Sequence, residues 1–508
     1  MGVARTWAVA IVGAHGECVE VEADLSEQTP EFKIIGLPDR SLSEAARRVH
    51  NACVNSELPL PRRRITVNLS PAGLPKQGAG FDVAIAVAAL ATEGGMDAAS
   101  LARTVHLGEL GLDGRLRPVP GVLPAVIAAV RAGRSRIVVP AANREEAELV
   151  PGAEVLGAVN LAQVASWHGA EVVVPDQEPV PGTTTPRVYA DTGELADVLG
   201  QPQAVEALVT AAAGGHHLLM CGPPGAGKTM LAKRLPGILP PLDDDAALAV
   251  ASLASLSGAR VATLDRTPPF VSPHHSASVA SLVGGGSRTM RPGAIALASE
   301  GVLFLDEAAE FPGGTLDALR QPLESGMISI DRAGWRADFP TRFQLILATN
   351  PCPCGDYGIR GGSCACPPSA IRRYLGRLSG PLLDRIDIEL TVQRVAVAQR
   401  DALPPSMTTH QARDRVAEAR ARMGRRLIGT PWTLNARVPG TWLRDGPYAP
   451  DPTVRRPLDA ALHRGSLTLR GYDRVLRVAW SLADLEGHDR LAADHIGRAL
   501  FLKRGAAA

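Results

Sequence analysis

Apolar and polar positions recur along the chain with two different periods. Near the start, an apolar run over 7–14 passes into His15 and the alternation Cys18-Val19-Glu20-Val21-Glu22, which predicts a first β-hairpin with one buried face. Short β-type runs recur at 65–69, 137–139 and 172–174. Longer apolar stretches at 42–54, 81–91 and 122–132 predict helices, so this first part is an α/β or α+β domain. Four prolines between 175 and 186, beside Gly182 and Thr183-Thr184-Thr185, have the composition of a linker. Beyond it a helix over 204–213 leads to a strand, a glycine loop and another helix, the order of a parallel nucleotide-binding sheet. From about Val395 the strands thin out and arginine-studded helical patterns take over.

Composition narrows the classes. The 508 residues are 45% hydrophobic and 21% charged, enough apolar material for proper cores. A net charge of +1 excludes a globally basic nucleic-acid coat. Five lysines stand against 48 arginines, so each lysine is a rare event. The longest apolar stretch, over 83–91, is too short to span a bilayer, and seven cysteines are too few for a disulfide scaffold of this size. These features point to the cytoplasm and to no membrane contact. Residues 411–426 carry six arginines against two acids, which reads as a solvated helix face before it reads as a nucleic-acid contact.

The chemistry concentrates in three strand exits. Leu218-Leu219-Met220-Cys221 runs into Gly222-Pro223-Pro224-Gly225-Ala226-Gly227-Lys228-Thr229, which fits G-x-x-x-x-G-K-[ST]. The glycines let the backbone N–H groups turn toward phosphate oxygens, and the following helix adds its positive end. Lys228 is expected to reach the β and γ phosphates of ATP, and Thr229 to ligate Mg²⁺. The apolar run over 301–305 ends in Asp306, expected to hold Mg²⁺ through water, and Glu307, expected to act as general base on the attacking water. A third strand over 343–347 leads to Asn350, which can orient water and sense the γ phosphate. Just beyond, Cys352, Cys354, Cys364 and Cys366 form C-x-C-x9-C-x-C. Four thiolates suit a structural Zn²⁺ or, second, an iron–sulfur cluster, against a loop of reduced thiols.

These strand exits, in this order, resemble the AAA+ ATPases. The resemblance implies that Arg385, in Leu382-Leu383-Asp384-Arg385-Ile386-Asp387, is an arginine finger reaching a neighbouring subunit's γ phosphate. It also implies that Arg470 is the sensor-2 arginine of a helical lid, and that the protein forms a homo-hexameric ring. Lys228 and Asp306 lie 78 residues apart. The excess includes 268–293, with His274-His275-Ser276 and Gly284-Gly285-Gly286, and is similar to the helix-2 insert of magnesium chelatase ATPase subunits and minichromosome maintenance helicases. Residues 328–339, with Arg332, Trp335 and Arg336, would form a hairpin that in such rings faces the pore and touches DNA.

Further motifs are similar to those of the ComM/YifB family of magnesium-chelatase-like AAA+ ATPases. They include Arg291-Pro292-Gly293-Ala294-Ile295, Asn350-Pro351-Cys352-Pro353-Cys354-Gly355 and Arg372-Arg373-Tyr374. Ile35-Gly36-Leu37-Pro38-Asp39, Arg64-Ile65-Thr66-Val67-Asn68-Leu69 and Leu107-Gly108-Glu109-Leu110 extend the similarity to the N-terminal part, which resembles the Lon protease fold. There Gly80 stands at the place of the nucleophilic serine and Leu123 at that of its lysine, so the domain reads as a non-proteolytic scaffold. Arg62-Arg63-Arg64 would serve it as a contact for DNA or a partner.

The expected fold is therefore α/β: a P-loop AAA+ ATPase core with a helical lid, preceded by a Lon-protease-like α+β domain lacking the catalytic dyad. The divisions are 1–174 for the N-terminal domain, 175–190 for the linker, 191–394 for the core with its insert and cysteines, and 395–508 for the lid. The resemblance implies an ATP-driven hexameric motor in branch migration or helicase work, during homologous recombination or DNA uptake. Its partners would be branched or single-stranded DNA and recombination proteins. One alternative is a chelatase-type ATPase remodelling a protein partner for metal insertion, disfavoured because such subunits lack this N-terminal domain. The other is an ATP-locked DNA-binding scaffold, disfavoured because a lock needs no base at Glu307.

Overall fold

The computed structural model describes residues 3–36, 42, 44–182, 192–286, 290–332, 335–358, 362–394 and 406–504. Leu37-Pro38-Asp39, residues 183–190 of the expected linker, the boundary at 395 and the side chains of Arg332 and Trp335 lie outside the described set.

The N-terminal domain is built on the hairpin of β1 (Ala4–Val12) and β2 (His15–Ser26). Val19, Val21, Ala23 and Leu25 are buried on one face of β2, as the alternation requires. β3 (Glu31–Ile35), β4 (Arg64–Ser70) and β5 (Thr104–His106) follow, then the small hairpin of β6 (Glu109–Leu110) and β7 (Leu116–Arg117), then β8 (Arg136–Pro140) and β9 (Glu154–Ala158). The main sheet has the order β3-β4-β2-β1-β5-β8-β9. Helix Asp82–Leu90 is buried on nearly every side, including Asp82 in its first turn. Arg48 offsets that buried charge with hydrogen bonds of 2.7 and 2.9 Å. Residues 172–174, expected as a strand, belong to no sheet among the described residues. Pro175, which cannot donate to a ladder, follows at once.

The second sheet is wholly parallel. After β10 (Leu218–Cys221) and β11 (Phe270–Val271), the hairpin of β12 (Gly284–Gly285) and β13 (Arg291–Pro292) leads to β14 (Val302–Leu305). The hairpin of β15 (Met327–Arg332) and β16 (Trp335–Pro340) then precedes β17 (Gln344–Thr349) and β18 (Ile388–Thr391). Strand order is β11-β14-β17-β10-β18. β14 and β17 are buried along their whole length, which is why they read as unbroken apolar runs.

Helices Thr409–Arg426, Pro452–His463, Leu469–Glu486 and Ala493–Arg504 share one core with helix Pro202–Gly214 and this sheet. Among the described residues, five of the six arginines of Thr409–Arg426 are bonded to the protein, and Arg425 alone of them is left on the solvated face expected of the run. Arg413 donates to Gly237 O (2.6 Å), Arg420 to Ala212 O (2.7 Å) and Arg422 to Asp484 O (2.8 Å). All three acceptors lie in the last turns of helices, where carbonyls run short of partners from their own helix. Arg415 pairs with Glu206, and Arg426 with Asp484. These guanidinium groups tie the C-terminal helices to the core.

The two halves touch at several elements. Helix Asp244–Ser257 lies against helix Val122–Arg131, with Gly121 N–H donating to Ser255 O (3.1 Å) and Arg260 paired to Glu145 (2.7 Å). The β1–β2 turn abuts β16. Ala14 N–H donates to Asp338 O (3.1 Å), and Gly13, at φ +62°, approaches so closely that a Cβ would stand 2.4 Å from that oxygen.

Candidate active site

Strand and helix meet at the C-terminal edge of the parallel sheet in a loop that only glycine can form. Gly225 and Gly227 have φ of +74° and +90°, and the helix Lys228–Ile238 begins directly after them. Gly222 N–H donates to Thr349 O (3.2 Å), so the loop starts against the exit of β17. Lys228 Nζ donates to Gly222 O (2.6 Å), Pro223 O (2.9 Å) and Asn350 Oδ1 (3.1 Å). Burial pushes its ammonium below the usual lysine range, against the opposing pull of Asp306. No carboxylate among the described residues forms an ion pair with it, which leaves the charge available to a phosphate.

Thr229 Oγ1 donates to Asp306 Oδ2 (2.6 Å), and Glu307 N–H donates to Asp306 Oδ1 (2.9 Å). A hydroxyl and a carboxylate oxygen this close fit the shell of one small oxygen-seeking cation. Glu307 sits in the left-handed region at φ 50° and ψ 44°, with its Oε2 2.8 Å from His275 Nδ1. Two residues outside every motif hold the loop from behind. Gln201 Nε2 donates to Ala226 O (2.8 Å) and Arg394 Nε to Pro224 O (3.0 Å). Both act on carbonyls of the loop, and no spacing in the sequence marks them.

The four cysteines converge beside this loop. Cys352 Sγ lies 3.3 Å from Cys354 Sγ and 3.8 Å from Cys364 Sγ, and Cys366 lies within 4.8 Å of the other three. Gly355, at φ +88°, lies against Pro224, where a Cβ would stand 2.4 Å from Pro224 Cδ. The backbone N–H of Asp356, then the neighbouring thiols, lower the Cys354 thiol, while the same thiol contacts raise those of Cys364 and Cys366.

Arg385 and Arg470 lie elsewhere. β10 and β18 are parallel neighbours, with Leu218 opposite Ile388. The P-loop leaves the C-terminal end of β10, whereas Arg385 precedes the N-terminal end of β18. At about 3.3 Å per residue, four-residue strands separate the two edges by about 13 Å. The Arg385 guanidinium pairs with Glu324 and donates to Pro381 O. Arg470 lines a cavity of about 190 Å³ with Arg385, Glu324 and Asp384, and Arg474, one turn further on, bonds Asp387 at 2.5 Å on the same edge. Lys228, Thr229, Asp306, Glu307 and Asn350 are thus gathered at one end of the sheet, and the two arginines at the other.

In the N-terminal domain, residues 77–80 and 119–122 line one cavity of about 320 Å³, shared with Leu256, Met290 and Arg291 of the P-loop half. A Cβ at Gly80 would meet nothing within 4 Å, and Leu123 is fully buried.

Sequence comparison bears on the whole chain. The family models magnesium chelatase, subunit ChlI, subunit ChlI of Mg-chelatase and magnesium chelatase, subunit ChlI C-terminal match residues 194–400, 21–143 and 406–503. An uncharacterised protein of Mycobacterium tuberculosis is 46% identical over 99% of both chains. Competence protein ComM of Haemophilus influenzae is 39% identical over 98% of this chain and 97% of its own. YifB of Salmonella typhimurium is 40% identical over 97% and 95%. The chain belongs to the ComM/YifB family of magnesium-chelatase-like proteins. Membership in this AAA+ group implies ATP and Mg²⁺, and the donors at Lys228, Thr229 and Asp306 fit both. No described helix of this ComM/YifB-family chain is long and apolar enough to cross a membrane.

Proposed function

We propose that this chain is an ATPase that works as a homo-hexameric ring on DNA, in branch migration or helicase work during recombination or DNA uptake. One observation carries the ring. Arg385 and Arg470 stand at the sheet edge opposite their own P-loop, so an ATP γ phosphate within their reach would belong to a second copy. Lys228 and the loop N–H groups hold the β and γ phosphates, and Asn350 orients water beside them. Glu307 takes the proton of the attacking water. Thr229 and Asp306 would hold Mg²⁺, which would supply charge neutralisation to the phosphates. Arg385, with Arg470, stabilises charge developing on the neighbour's γ phosphate.

Two features support DNA as the polymer acted on. A relative of nearly equal length is named a competence protein, and the β15–β16 hairpin carries Arg336, exposed and paired with Asp338 at 3.0 Å. The N-terminal domain, without a nucleophile at Gly80, serves as a scaffold. ATP turnover measured with single-stranded, duplex and four-way-junction DNA tests the reading. Stimulation by DNA together with ATP-dependent migration or unwinding of the junction is expected, and turnover indifferent to all three DNAs would defeat the DNA assignment.

Cys352, Cys354, Cys364 and Cys366, in the same proposal, hold one structural Zn²⁺ that braces the segment between Asn350 and the finger. Four protein ligands leave no open position, so the ion takes no part in hydrolysis. Elemental analysis should find about one zinc per chain, lost in Cys354→Ser. Purified protein without zinc or iron would leave four reduced thiols instead.

A further inference from the structure

At the edge of the parallel sheet away from the P-loop lies a cavity of about 760 Å³. It opens where β10, β14, β17 and β18 begin, since His217, Gly301, Phe343 and Asp387 line it. Five arginines line it as well: Arg342, Arg420, Arg437, Arg474 and Arg477. Four carboxylates share the wall, and each is engaged. Asp387 takes Arg474 at 2.5 Å, Glu324 pairs with Arg385, Glu300 stands 3.9 Å from Arg342, and Asp243 caps the helix Asp244–Ser257. Glu300 also pulls on Arg437, and Arg342 pushes against it. Among the described residues, Arg420, Arg437 and Arg477 are left with no ion pair.

Their donors are only partly used. Arg477 donates through Nε to Val438 O (2.8 Å), and Arg420 through Nε and Nη2 to Ala212 O. Among the described residues, both Nη groups of Arg477, the Nη1 of Arg420 and the whole Arg437 guanidinium make no hydrogen bond. Burial holds Arg420 down to about 10 and lowers Arg477 as well. A guanidinium drawn out of water without an opposite charge is unfavourable until an anion meets it. The frame is also set in advance. Asn435 Nδ2 donates to Ser481 Oγ (3.0 Å) and Asp484 Oδ2 (2.9 Å), which pins the turn Asn435–Arg437 to the helix that carries Arg477.

We propose that this cavity is a second anion site, separate from the P-loop, which takes a phosphate-bearing small molecule on Arg420, Arg437 and Arg477. Planar guanidinium groups meet phosphate oxygens two at a time, and three uncompensated charges suit a multiply charged oxyanion better than a single carboxylate. Arg385 and Arg470 do not line it, although the cavity they do line shares Arg474 and Arg477. The site therefore stands whether or not a neighbouring copy offers a phosphate to Arg385.

The test titrates pyrophosphate, with Mg²⁺ in excess, into the full-length chain whose P-loop is saturated by a fluorescent non-hydrolysable ATP analogue. Calorimetry should show one further pyrophosphate bound per chain while the analogue stays in place. Arg437→Ala should weaken that binding roughly 10–100-fold, the worth of a lost charge-assisted contact, and Arg437→Lys should recover part of it. Arg437 is exposed on its turn, and analogue binding checks that each variant is folded. Arg385→Ala should bind pyrophosphate as wild type does. No binding by the saturated wild type, or binding unchanged in Arg437→Ala, overturns the inference. Release of the analogue in step with pyrophosphate would place the anion in the P-loop, and loss in Arg385→Ala alone would place it at the finger; either overturns the inference. Displacement of pyrophosphate by single-stranded DNA would assign these arginines to a nucleic-acid backbone and overturn a small-molecule site.

Discussion

Arg385→Ala is expected to reduce ATP turnover by roughly 10³–10⁵-fold while ATP binding persists, the range that an arginine finger supplies to phosphoryl transfer. The reason is geometric. The residue precedes β18 at the edge of the sheet remote from Lys228, and in the isolated chain its guanidinium is engaged by Glu324. Removing it leaves Lys228, Thr229 and Asp306 undisturbed, so affinity for ATP should hold. The decisive measurement mixes two inactive proteins. Arg385→Ala subunits retain Glu307, and Glu307→Gln subunits retain Arg385. In rings assembled at random from equal amounts, about a quarter of interfaces join an intact base to an intact finger. Turnover should reappear in that proportion. Mixtures as inactive as their parents would mean that the arginine acts within its own chain or not at all.

Glu307→Gln should lower the rate by roughly 10²–10⁴-fold, the contribution of a general base, with ATP retained and assembly intact. An amide keeps the shape and the contact with His275 but has no lone pair basic enough to take a proton from water. Asp306 and Thr229, a hydrogen bond apart, keep their places because Glu307 joins them only through its backbone N–H. Single-turnover hydrolysis beside equilibrium ATP binding checks this. A rate within tenfold of wild type would transfer the role of base to another group.

Much of the candidate site was legible in the sequence alone. Gly222, Lys228 and Thr229 fall within eight consecutive residues, and Asp306 and Glu307 follow an apolar run that could only be a buried strand. Local chemistry sufficed there because a phosphate cradle is made from one turn of backbone. The cysteine cluster was legible for a similar reason, since each C-x-C pair brings two thiols close together. Gln201, Arg394 and the partnership of His275 with Glu307 were not. Each depends on which strands lie side by side, and the order β11-β14-β17-β10-β18 differs from chain order.

The arginines mark the boundary most clearly. Their number was plain from composition, and the run over 411–426 suggested a wet surface. Three of its six arginines instead reach the ends of helices Pro202–Gly214, Lys228–Ile238 and Leu469–Glu486, because carbonyls at helix termini need donors and a guanidinium can span the gap. Residue type and spacing along the chain determined the P-loop, the acidic strand exit, the four thiols and the family likeness, all products of short-range order. Tertiary structure alone decided which edge of the sheet receives Arg385 and Arg470, and which side chain reaches the carboxylate of Glu307. Those relations join residues tens to hundreds of positions apart, and only the packing of parallel strands sets their distances.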